Sequence, residues 1–197
     1  MNRARGALWI ALCLAAMLTS ASILCWPSPQ PAAPDCRLPS MRVFKREGVL
    51  QLLCEGQVTR EMGVTFGWNP KGPKEREGDG RTPEGAYHIS SMTKSEHFDR
   101  FLAVSYPNEH DLRRARDEGI DHPGSGIGIH GTTKALAPLA RAWIRFVGAI
   151  GIADLIGPTE GCIGISNEDV EVLSNAVSVD TPISIAAARP RGAAADP

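Results

Sequence analysis

Turn-forming residues cut the first part of this chain into pieces too short for anything but small strands. Arg46-Glu47-Gly48 separates Met41–Lys45 from Val49–Cys54, and Glu55-Gly56 separates that piece from Gln57–Phe66. Glycine beside charged residues favours tight turns, and the largely apolar pieces between them read as strands. Three in succession predict an antiparallel meander. Trp68–Gly80, dense in Gly, Pro and charge, is expected to be a loop, with Lys74–Arg76 a solvated part of it. Ala86–Ser90 and Phe101–Tyr106 are further strand candidates. Asn108 is placed to cap a short helix through Leu112 and Arg116, and Gly119 to end it. Gly124–Ile129 alternates Gly and Ile up to His130. Val170–Ala176 reads as a helix and Val177–Ile185 as a closing strand. Pro182 cannot donate to a strand ladder, which places that strand near a sheet edge. The expected fold class is β-rich α+β.

The ends of the chain have a different character. Arg3 and Arg5 form a basic head, and no charge follows from Ala7 to Trp26. This is the layout of a secretory signal, so residues 1–26 are expected to be a signal peptide, with Thr19-Ser20-Ala21 as a small-residue cleavage point. The run is also long enough to stay in the bilayer as an anchor, so membrane anchoring through residues 7–26 stays open. Lipid anchoring is disfavoured because Leu12 and Leu24 precede Cys13 and Cys25. Residues 27–39, with Pro27, Pro29, Pro31, Pro34 and Pro39, read as an extended linker. The folded domain is expected over residues 40–186, followed by a flexible tail at 187–197. A net charge of -1 gives no footprint for nucleic acid.

Outside the N-terminal run three cysteines remain, at 36, 54 and 162. Cys36 and Cys54 are either a disulfide or two small hydrophobes, since spacing alone does not set the Cα separation a bridge needs. Residues 135–156 are almost wholly apolar, broken by Arg141, Arg145 and Asp154. They read as a helical insertion packed on the core, or as a mobile cover or membrane-touching surface.

Thr159-Glu160-Gly161-Cys162-Ile163-Gly164 sets a cysteine between glycines just before a helix. A thiolate is the reactive form of cysteine, and glycine beside it lets a substrate approach backbone N–H groups that stabilise an oxyanion. Such a nucleophile needs a base, and His130, followed by Gly131, is the candidate. His88, His97, His110 and His122 show no metal-ligand spacing with the cysteines, and no metal or cofactor is implied.

These pieces resemble the L,D-transpeptidase catalytic domain of YkuD type. Met41–Lys45 is similar to its opening strand, Thr82-Pro83-Glu84-Gly85-Ala86-Tyr87 to its TPxGxY element and Ile129-His130-Gly131 to its IHG element. Thr159–Cys162 is similar to its [S/T]xGC element, with Asn167-Glu168-Asp169 after it. The resemblance implies an L,D-transpeptidase-like β-sandwich with short helices, and peptidoglycan stem peptides as partners. It implies Cys162 as nucleophile and His130 as general base and acid. Gly161, Gly131 and Thr159 would hold the oxyanion or orient the histidine, and Gly164, Asn167 and Thr132 would line the substrate side. The implied reaction forms a Cys162 thioester with release of terminal D-alanine, then passes the acyl group to an amine. Water as acceptor would make a carboxypeptidase. Gly164 stands where many members carry an arginine, which raises a third reading, a catalytically silent wall-binding protein. Glu160 replaces a common histidine, and 32 positions separate His130 from Cys162, more than the family's usual gap. A working nucleophile also leads us to expect a Cys162 thiol pKa below the ordinary value.

Overall fold

The computed structural model describes residues 36–94, 98, 100–131 and 159–190. The expected signal segment, most of the linker, residues 135–156 and Thr132 lie outside them. Eight strands form one hydrogen-bonded succession in the order β3-β2-β1-β8-β4-β5-β6-β7. They are β1 Pro39–Phe44, β2 Val49–Cys54, β3 Gln57–Gly63, β4 Gly85–Thr93, β5 Phe101–Val104, β6 Gly128–His130, β7 Ile163–Gly164 and β8 Pro182–Ala186. Two helices accompany them among the described residues, α1 Glu109–Asp117 and α2 Asn167–Ala176.

The predicted meander is present: β1 pairs with β2 and β2 with β3, both antiparallel. Cys54 pairs with Gln57, so Glu55 and Gly56 form a two-residue turn with positive φ at both, 51° and 86°. That backbone matches the twist of the strands it joins. The chain then leaves β3 at Gly63, and Thr65 exchanges two backbone hydrogen bonds with Gly164 of β7, at 2.8 and 2.9 Å. Since β3 and β7 lie at opposite ends of the strand order, the sheet curls until its ends meet. The expected sandwich is therefore two halves of one curled sheet.

The closing strand is not near an edge. β8 lies between β1, to which it is parallel, and β4, to which it is antiparallel. Pro182 is tolerated there because it is the strand's first residue. The beginning of the expected tail is also held: Arg189 bonds Glu61 at 2.9 Å and lies 5.3 Å over the Phe44 ring.

Alternation fills the inside of the curl. Val43, Leu50, Ile89, Ile129, Ile163, Ile165 and Leu173 are fully buried, each worth about 1.5–3 kcal/mol relative to exposure. Val170 and Leu173, three apart on α2, seat that helix on the same core. Its N-cap is Ser166, whose Oγ accepts from the Asp169 N–H at 2.9 Å, while Asp169 accepts from Arg60 of β3 at 2.8 Å. In α1, Asn108 caps as predicted, accepting from the N–H groups of His110 and Asp111.

Cys36 and Cys54 form a disulfide with Cα atoms 5.6 Å apart, tying the start of the domain to the end of β2. The bridge spans 18 residues. Closing a loop of that length removes about 3 kcal/mol of unfolded-state entropy. Replacing both cysteines by serine is expected to cost about that much, read from the shift in urea midpoint. An unchanged midpoint would contradict it.

Candidate active site

Two short parallel strands set the site. Ile129 pairs with Ile163 and His130 with Gly164, which places Cys162 level with Gly128. Successive residues of a strand face opposite sides. Ile129 and Ile163 point into the core, so Gly128, His130, Cys162 and Gly164 share the other face. Diagonal neighbours in a sheet have Cβ atoms roughly 7–8 Å apart, within reach of a long side chain. Each of these two side chains has a glycine as its lateral neighbour, Gly128 beside Cys162 and Gly164 beside His130. The cysteine and the histidine, far apart in sequence, are brought together by strand register.

His130 is 5% exposed. Its ring lies 3.9 Å from that of Phe98 and 6.0 Å from that of Phe101, centroid to centroid. A Cβ at Gly128 would collide with the Phe101 ring, which confirms that ring as a cover over this face. Nδ1 is 2.7 Å from the Gly131 carbonyl oxygen. A carbonyl only accepts, so Nδ1 carries the proton and Nε2 is the free base. Burial pushes the His130 pKa down, opposed by that hydrogen bond.

The Cys162 loop is a tight turn. The Thr159 hydroxyl donates to the Cys162 carbonyl at 2.7 Å and accepts from the Gly161 N–H at 3.1 Å. The two orienting candidates thus divide. Gly131 holds the imidazole through its carbonyl, whereas Thr159 is committed to the cysteine's own turn. Gly161 has φ +133° and sits against the Arg81 carbonyl oxygen. Arg81, immediately before the Thr82–Tyr87 stretch, therefore backs the Cys162 loop, and Thr82, fully buried, accepts from the Gly67 N–H at 3.3 Å. On the outer flank the Trp68 N–H donates to the Thr159 carbonyl at 3.0 Å.

The Cys162 thiol, half-buried, donates to the Gly126 carbonyl at 3.5 Å. Burial pushes its pKa up, opposed by a backbone hydrogen bond from Gly128 and by the charge of Lys74. The direction is opposite to the depressed thiol expected: both groups are withdrawn from water, which favours the thiol and the neutral imidazole. Lys74 is corrected as well. It is 3% exposed, not solvated, and its Nζ lies 2.7 Å from Asp79 Oδ1.

Asp79 organises that loop. It accepts from Lys74 and from the N–H groups of Glu75, Arg76 and Arg81, at 2.7 to 3.1 Å. Burial alone would raise its pKa, but these donors outweigh it and hold the carboxyl at about 2. An unfolded aspartate titrates near ~3.9. The contribution is therefore complete above that value and is lost as pH falls towards about 2. Asp79→Asn is expected to lower stability by about 2 kcal/mol at neutral pH. The gap to wild type should close in acid, and denaturant midpoints that differ equally at both pH extremes would contradict it.

The L,D-transpeptidase catalytic domain family, YkuD, matches residues 41–185. The chain belongs to this family. No curated protein matches it. Among solved structures it is similar to the helical cell shape determining protein Pgp2 of Campylobacter jejuni, with 19% identity and a TM-score of 0.56 over 79% of this chain and 50% of that one. It is also similar to Bd1075 of Bdellovibrio bacteriovorus, with 19% identity and a TM-score of 0.51 over 76% of this chain and 48% of that one. The chain spans about half the length of these two proteins. At this identity they speak for the fold alone.

Of the residues expected at the L,D-transpeptidase site, Gly164 is buried and its backbone N–H and carbonyl are bonded to Thr65. Asn167 lies against Gly131, where an added Cβ would strike its Oδ1. Sequence reasoning missed Phe98, Phe101, Gly126, Gly128, Lys74 and Asp79. Nothing in one sequence separates Lys74 from the exposed Lys71 in the same loop. Asp79 between two glycines was the available signal for a loop hub.

Proposed function

We propose that this chain is a peptidoglycan L,D-transpeptidase acting in the cell envelope. The observation that carries the reading is the placement of Cys162 and His130 on one face of adjacent strands, with Nε2 left as the base. As the sulfur attacks the carbonyl carbon before the stem peptide's terminal D-alanine, Nε2 takes the thiol proton. The oxyanion forms against the turn; the Gly161 N–H already donates to Thr159, so the Cys162 N–H is the proposed donor. Collapse breaks the amide bond, Nε2 returns the proton to the departing D-alanine nitrogen, and a thioester remains. An acceptor amine then attacks the thioester and gives its proton to Nε2, and the sulfur leaves and is reprotonated. Export by residues 1–26 would bring the domain to this substrate.

The test is incubation with a tetrapeptide muropeptide and analysis of products. D-Alanine release with cross-linked dimers is expected. Tripeptide without dimers would assign water as the acceptor, and an unchanged profile with sacculus binding would sink the enzymatic reading.

A further inference from the structure

We propose that Lys74, held in place by Asp79, is the positive charge that stabilises the Cys162 thiolate. A buried ammonium is costly unless it is paired, and Lys74 is 3% exposed, its stem packed on the Gly124–Gly126 loop that the thiol also bonds. Its carbonyl oxygen accepts from Arg114 of α1 at 2.6 Å, which fixes the backbone. Its stem lies against Gly124, where an added Cβ would come within 2.8 Å of Lys74 Cε. Two residues further on, the Gly126 carbonyl accepts from the Cys162 thiol at 3.5 Å. A single short loop, Gly124 to Gly126, therefore touches both the ammonium's stem and the sulfur. The same charge opposes the effect of burial on the thiol.

Among the described residues the surroundings leave Lys74 as the cation for this role. From β6 the thiol faces His130, whose resting form is neutral. On its own loop Glu160 is exposed. From the 74–81 loop come Lys74, Asp79 and Arg81, and the Arg81 guanidinium is bonded to Glu75 at 2.7 Å. Arg114 serves the Lys74 backbone. Asp79 accepts from the N–H groups of Arg81, Glu75 and Arg76 as well as from Lys74, and those three dipoles offset part of its negative charge, which leaves part of the lysine's charge to act on the sulfur. Lys74 is thus a positioning residue for charge, acting through space on the nucleophile, in a site whose strand carries Gly164 and no cation.

The inference rests on Cys162 being the nucleophile, but its test reads the thiol itself, so a chain that forms no thioester still returns an answer. The rate of iodoacetamide addition to Cys162 in the full-length protein is followed against pH by peptide mass spectrometry. In Lys74→Met the inflection should move up by on the order of half a unit to one unit, slowing alkylation roughly threefold to tenfold below it. Lys74→Arg should restore most of the rate. Asp79→Asn, which keeps the ammonium and removes its counter-charge, should move the inflection the opposite way. A purely structural ion pair predicts shifts of the same sign in both variants. Same-sign shifts, or an unmoved inflection, overturn the proposal. If Lys74→Met does not fold, Lys74→Gln is read in its place: an inflection moved up supports the proposal, and an unmoved or lower one overturns it.

Discussion

Replacing His130 by alanine is expected to slow acylation of Cys162 by about 10²–10⁴-fold. The Gly131 carbonyl fixes the ring with Nε2 free, and the Phe98 ring packs on it. Burial keeps the thiol protonated as the substrate arrives, so attack requires the proton to leave for a nearby base. Without the imidazole only water is available. The pH profile should change shape as well. Burial lowers the His130 pKa below its ordinary 6.5, so the base stays competent through neutral pH and fails only as pH falls through that lowered value. Wild-type acylation should therefore show an acid limb below pH ~6.5. His130→Ala should lack it, its residual rate rising only as the thiol ionises in alkali. An acid limb that survives in the variant would assign the base elsewhere.

Gly161→Ala should be nearly as damaging to activity and should also cost stability. Glycine at φ +133° occupies backbone that side chains avoid, at a cost of about 1–3 kcal/mol. The new Cβ would also stand 2.5 Å from the Arg81 carbonyl oxygen and 3.0 Å from Ile127 Cδ1. The relief available is a shift of the loop that carries Cys162, and displacing a nucleophile by about 1 Å costs on the order of 10²-fold in rate. Gly56→Ala is the control. Its φ is also positive, at +86°, but nothing lies within 4 Å of the added carbon. It should lose stability and keep activity. Equal activity loss in both would mean that strain, and not loop displacement, is responsible.

The sequence made the local devices legible. Arg46–Gly48 and Glu55-Gly56 announced the meander, and Asn108 announced α1, because turn and cap chemistry depends on a few adjacent residues. The order of the motifs announced Cys162 and His130 as a pair. Their actual relation, a diagonal across the parallel rungs Ile129–Ile163 and His130–Gly164, depends on two segments far apart in sequence. So does the closure of the curl by Thr65 and Gly164. Pro182 was misleading because a proline at a strand's first position is compatible with a central strand. The direction of the Cys162 shift was misread for another reason. Motif chemistry asks for a thiolate, whereas burial, visible only in the folded chain, favours the thiol. Lys74 was invisible for the same reason, since only the fold withdraws it from solvent and sets Asp79 beneath it.

The central claim is that one sulfur carries the acyl group. Intact-protein mass spectrometry of the wild type and Cys162→Ala, after exposure to a tetrapeptide stem or to a carbapenem, tests it most directly. The account predicts a single acyl adduct that maps to Cys162 in the wild type, and none in the variant. An adduct of the same mass on Cys162→Ala, or one that maps to another residue, would contradict it.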